Sequence, residues 1–103
     1  MAITIILEIQ AKKGTGNDFL AMMKGILPET RSYDGCISLD VYQNQDDSDV
    51  MVLVENFESK AHYEKYLAWR EKTGVLQKLS AALEGHPKKR PVPHTHLTPP
   101  ARP

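Results

Sequence analysis

The sequence predicts an α+β domain of the ferredoxin-like class, an antiparallel sheet with its helices on one face. Three observations carry the prediction. Residues 2–11, 36–43 and 50–57 alternate, or run apolar with β-branched side chains, as strands do. Residues 19–27 and 63–83 place apolar side chains at helical spacing. With a short strand expected near the C-terminus, the order reads β-α-β-β-α-(α)-β.

Along the chain, Ile3, Ile5, Leu7 and Ile9 share one face of the first strand, and Thr4, Ile6, Glu8 and Gln10 the other. Lys13-Gly14-Thr15-Gly16 turns the chain, and Thr15 with Asp18 three residues later is a capping-box-like helix start. Phe19, Leu20, Met22, Met23, Ile26 and Leu27 follow as a helix, which Gly25 and Pro28 are expected to bend or interrupt. Asp34-Gly35 marks a turn into the second strand, and the acidic loop Asn44 to Asp49 joins it to the third. Ser59 is positioned to cap a second helix carrying Tyr63, Tyr66, Leu67 and Arg70, which Gly74 ends. Val75, Leu76, Leu79, Ala82 and Leu83 mark a third helix, with Gly85 expected just past its end. Six of the seven prolines follow residue 86, so the last strand, residues 92–98, is expected at a sheet edge. The domain is therefore read as 1–98, followed by a flexible Pro-rich tail, 99–103.

With 103 residues the chain has room for one core. Lys plus Arg and Asp plus Glu number 13 each, so the basic excess of a nucleic-acid binder is missing. The one basic cluster, Lys88-Lys89-Arg90, reads as a solvated linker. No stretch approaches the length of a membrane span, and Glu8 inside the first apolar run argues for a strand over a signal peptide, so the expected compartment is the cytoplasm. Cys36 stands alone and reads as a small buried hydrophobe. His94 and His96 alternate at a spacing two metal ligands can share, but no third ligand suggests itself, and no metal is expected. Gly14-Thr15-Gly16 lacks the rest of a phosphate-binding motif and reads as a turn.

The third strand points beyond the monomer. Val50, Met51, Val52, Leu53 and Val54 are apolar on both faces, whereas a sheet covered on one side shows polar residues on the other. A homodimer packed through the open sheet face resolves this.

The pattern resembles the antibiotic biosynthesis monooxygenase-like family of dimeric α+β barrels. Gly14, Tyr33-Asp34-Gly35-Cys36, Val54-Glu55-Asn56-Phe57-Glu58-Ser59, Tyr66-Leu67-Ala68-Trp69-Arg70 and Thr73-Gly74 carry the resemblance, over roughly residues 1–85. The family includes quinol and anthrone monooxygenases, haem-degrading enzymes, lactone isomerases and proteins without known activity, so the resemblance speaks for fold before reaction. The haem-degrading members' Asn and Trp positions fall here at Leu7 and Tyr66, and no histidine lies between His62 and His86 to serve as iron ligand. The anthrone oxygenases' cavity tyrosines match Tyr42 and Tyr63, while their Trp and Asn positions fall at Phe57 and Leu53.

The resemblance thus implies a monooxygenase that needs no cofactor and acts on a phenolic, quinol or anthrone-like ring in an apolar pocket between sheet and helices. Tyr63, His62 and Tyr42 are the candidate catalytic groups, and Tyr66, Trp69, Arg70, Phe57, Leu53 and Leu7 the candidate substrate-binding ones. Each has a plainer role beside it. His62 can be a surface residue near Glu58 and Lys65, Tyr66 and Trp69 can be core, and Arg70 can pair with Glu55 or Glu71. Two other classes stay open: a dimeric small-ligand-binding protein of the same fold, and an isomerase or lactone-opening enzyme using His62 or a carboxylate.

Overall fold

The computed structural model describes residues 2–94. Its elements are β1 (Ala2–Gln10), α1 (Gly16–Arg31), β2 (Cys36–Gln43), β3 (Val50–Phe57), α2 (Lys60–Lys72), α3 (Val75–Ala81) and β4 (Lys88–His94). The strands form one sheet in the order β2-β3-β1-β4, with every neighbouring pair antiparallel. This is the ferredoxin-like arrangement expected.

Strand alternation divides the sheet into two unlike faces. On the helix side, Met51, Leu53, Glu55 and Phe57 of β3 are all buried. Beside them, Ile9, Leu39, Met51 and Leu53 pack with Phe19, Met23 and Leu27 of α1 in one core cluster. Ile3, Ile5 and Phe57 pack with Tyr63 and Tyr66 of α2 in a second. Glu55 sits on β3 between the residues that belong to these two clusters. The other face carries Ile6, Val52 and Val54, half-buried and covered by no helix. A hydrogen-bonded polar row crosses that face from Ser38 through Asn56 (2.9 Å) and Thr4 (2.5 Å) to His94 (2.7 Å).

Four details differ from expectation. The first helix runs through Gly25 and Pro28 to Arg31, with Pro28 exposed near its end. Thr15 stands at its N-cap as expected, but its hydroxyl donates to the Lys12 carbonyl and caps no helix amide. The last strand begins at Lys88, four residues earlier than expected, and pairs with β1 from Glu8↔Lys88 to Ala2↔His94. Pro91 and Pro93 are two residues apart, so both missing N–H groups fall on one side of this edge strand, which can face away from β1. Gly85 is not the α3 cap, since α3 ends at Ala81 with Ala82 as its cap residue. His96, the rest of the expected strand to Thr98 and the tail 99–103 lie outside the described residues.

Two contacts fix the frame of the helix layer. At Gly35, φ is +87° and a side chain would collide with the His62 ring, so only glycine fits the turn between α1 and β2. At the start of α1, the Asp49 carboxylate accepts the Gly14 and Gly16 amides, both at 2.8 Å. The glycine turn does hold an anion, but it is the chain's own. Asp49→Ala should therefore destabilise the fold by about 1.5–3 kcal/mol, the worth of charge-assisted hydrogen bonds, with Asp49→Asn losing less; urea titration reads both.

Candidate active site

A cavity of about 480 Å³ lies between the helix face of the sheet and the helices, large enough for a small aromatic molecule. The strands supply its floor through Leu7, Leu39 and Leu53, and α1 supplies Phe19, Met23 and Leu27. Tyr63, Tyr66 and Leu67 of α2 close one side, and the segment from Leu76 to Lys89 closes the other.

Glu55 interrupts this apolar lining. It follows Leu53 and precedes Phe57 on the alternating face of β3, so the strand has no choice but to turn its carboxyl inward. Only 6% of the residue is exposed. Among the described residues the ion pairs are His62–Glu58 and Lys88–Glu8, so none holds Glu55, and no side-chain hydrogen bond reaches it. Burial therefore pushes the carboxyl up from 4.5 to about 7, with the nearby Lys89 ammonium pulling the other way. A carboxyl at that value can both take and return a proton at neutral pH.

Tyr63 stands beside it. Its ring lies 5.3 Å from that of Phe57, and the Lys89 ammonium sits 4.5 Å from its centroid. Burial first, and then the Glu55 charge, raise the Tyr63 phenol far above its usual range, so its O–H stays available as a donor. Tyr66 has a different task. Its Oη lies 2.8 Å from Thr30 Oγ1 and accepts from Arg70 Nε at 3.1 Å. Burial raises this phenol too, against the pull of Thr30 and Arg70.

The candidate residues divide. Leu7, Leu53, Tyr63 and Tyr66 line the cavity; Tyr42, His62, Phe57, Trp69 and Arg70 do not. Tyr42 is 59% exposed on the opposite face, in register with Val52. His62 is held at the start of α2, its Nδ1 2.7 Å from Ser59 Oγ and its Nε2 3.7 Å from Glu58. Phe57 is fully buried in the second core cluster. Trp69 stacks on Tyr33 at 4.9 Å and lies 4.4 Å under the Arg70 guanidinium. Arg70 is 1% exposed and pairs with neither Glu55 nor Glu71. It donates to Thr30 Oγ1 at 2.7 Å and to the Ile26 carbonyl at 3.1 Å, which ties α2 to α1. Glu55 and Lys89, which were not among the candidates, line the cavity. Among the described residues no cluster of histidine, cysteine and acidic groups is arranged to hold a metal, and no helix is long and apolar enough to cross a membrane.

A family model described as antibiotic biosynthesis monooxygenase matches residues 2–72. The chain belongs to this family. The fold of the family recurs in solved structures. A conserved protein from Methanosarcina mazei Go1 is 20% identical, with 89% of this chain and 91% of that one covered and a TM-score of 0.79. A Mycobacterium tuberculosis protein is 17% identical over 95% of this chain and all of its own, at 0.80. A mutant of SnoaB, a cofactor-independent oxygenase from Streptomyces nogalater, is 11% identical over 96% and 98% of the two chains, also at 0.80. Identities this low establish a shared fold. No curated protein matches the sequence.

The Glu55 environment has a measurable consequence. The folded carboxyl keeps its proton up to about pH 7, while the unfolded one releases it near 4.5. The folded chain binds more protons across that window, so stability should fall as pH rises through it, by roughly 3 kcal/mol in total. In Glu55→Gln this component should vanish, leaving the variant more stable than the parent above pH 7 and nearly equal near pH 4.5. Urea midpoints of the two proteins across the window check this.

Proposed function

We propose that the chain is a monooxygenase that oxidises an electron-rich phenol, quinol or anthrone-like ring in this cavity without a bound cofactor. Membership in the family and the fold shared with a cofactor-independent oxygenase support the reaction class. The observation that carries the reading is Glu55, a carboxyl balanced near neutrality and facing an otherwise apolar chamber.

For an anthrone the chemistry runs as follows. The Glu55 carboxylate removes a proton from the ring methylene, and the Tyr63 O–H hydrogen-bonds the oxyanion that forms. The carbanion passes one electron to dioxygen, and the resulting radical and superoxide combine in a C–O bond. Glu55 returns its proton to the peroxide. Removal of the second methylene proton, with cleavage of the O–O bond, leaves a quinone carbonyl and one water. The carbon loses four electrons and dioxygen gains four, one oxygen atom entering the product. The apolar walls exclude water and align the ring.

Oxygen uptake with an anthrone and quinol panel should exceed the protein-free rate. Glu55→Gln should lower it by about a hundredfold or more, the usual worth of a general base, and Tyr63→Phe by a smaller factor. Tight ring binding with no uptake above background would instead make the chain a small-ligand-binding protein of the same fold.

The functional unit in this reading is a homodimer. The uncovered face places apolar Ile6, Val52 and Val54 between an acidic edge with Asp40 on β2 and a basic edge with Lys88 and Arg90 on β4. A two-fold axis along the strands lays β2 over the partner's β4, so the opposite charges meet while the valines are covered. Light scattering should give about twice the 11.6 kDa chain mass, and Val54→Lys should yield monomer or unfolded chain. A monomeric parent protein would end this part of the reading.

A further inference from the structure

The family match ends at residue 72, yet 7 of the 20 residues lining the cavity come after it. Among them His86 and Lys89 are exposed and mark the chamber's mouth. Leu76, Leu79 and Leu83 continue the apolar wall, and His86, Pro87 and Lys89 form the rim. The chemistry changes at that rim from hydrocarbon to cation.

Lys89 is placed there by strand geometry. Lys88 and Lys89 are neighbours on β4 and so point to opposite faces. Lys88 turns to the open face and meets Glu8 at 3.9 Å. Lys89 lies in register with Leu7, a cavity residue, and its ammonium is held 4.5 Å from the Tyr63 ring centroid. It is exposed at the mouth and belongs to neither ion pair of the described residues; Glu55 feels its charge from beyond ion-pair distance. The ammonium therefore keeps donors for a bound molecule, and the His86 imidazole stands at the same rim.

We propose that the ligand of this cavity is an aromatic acid, its fused rings in the apolar interior and its carboxylate at the mouth, held by Lys89 with His86 beside it. The proposal deepens the oxygenase reading by naming the substrate class, and rests on it for the oxidised ring. It divides the site into a reacting end at Glu55 and Tyr63 and a selecting end supplied by the segment beyond the family match. Such a charge-assisted contact also fixes which ring position reaches Glu55.

The test compares two fluorescent probes of nearly equal shape, anthracene-2-carboxylate and anthracene-2-carboxamide, bound at neutral pH without oxygen. The parent protein should prefer the carboxylate by about tenfold or more, the scale of one charge-assisted hydrogen bond. Lys89→Met keeps the apolar stem and should erase the preference, lowering carboxylate affinity far more than carboxamide affinity. Lys88→Met removes the same charge from the other face and should keep the preference. Lys89→Gln repeats the test should the methionine variant fold poorly by circular dichroism. Equal affinities in the parent protein, or a preference that survives loss of Lys89, would overturn the proposal. Because no turnover is involved, a missing oxygen uptake with the preference intact would count against the oxygenase reading alone.

Discussion

One carboxyl in apolar surroundings governs the chemistry of this fold. Glu55 shares a strand face with Met51, Leu53 and Phe57 and so must enter the helix layer with them. Burial takes most of the solvation from its charge, and no hydrogen bond or ion pair from the described residues substitutes for it. The carboxyl answers by holding its proton to about pH 7. Lys89 keeps the value from rising further. A fully apolar residue at this position would stabilise the core and leave the apolar interior of the cavity without its carboxyl.

The rest of the helix layer holds that cavity open. A close-packed domain would ordinarily fill such a space, because voids forfeit dispersion contacts. Here α1 is pinned at both ends. Asp49 grips the turn at its start through the Gly14 and Gly16 amides, and Arg70 grips its last turns through the Ile26 carbonyl and Thr30. Arg70 is a buried cation without a carboxylate partner, yet its guanidinium meets three oxygen acceptors and lies over the Trp69 indole. Planar, delocalised charge tolerates such a site better than an ammonium would. Tyr66 shares this network through its hydroxyl while its ring faces the cavity, so the wall is rigid where a ligand would rest. Residues that looked like substrate contacts thus build the frame that positions others.

The fold was legible because it rests on periodicity. The alternation of β1, the apolar β-branched run of β3 and the helical spacing around Phe19 and Tyr63 are local signals, and they survive into the structure at nearly the expected boundaries. Leu7, Tyr63 and Tyr66 lie on faces whose direction the period sets, while Leu53, on a strand apolar on both faces, was named through the resemblance. Tyr42 was named through the resemblance, and β2, whose pairing with β3 shifts between Cys36 and Ser38, carries it on the open face. Trp69 and Arg70 could not be resolved from helical spacing, because their roles depend on Tyr33 and Thr30, more than thirty residues away. Glu55 did leave a signal, a single acid on the buried face of an apolar strand. Its meaning needed the helix layer, which shows that no cation closes on it. Lys89 was hidden by its prolines: they suggested a linker, while the edge strand they actually permit turns that lysine toward the cavity.

The most direct measurement is a carbon-13 NMR titration of the Glu55 side-chain carboxyl in selectively labelled protein, with Glu55→Gln used to assign its resonance. A midpoint near pH 7, moving upward in Lys89→Met as the opposing charge is removed, is the result this account predicts. A midpoint near 4.5 would mean that the carboxyl is solvated or paired, and would contradict it.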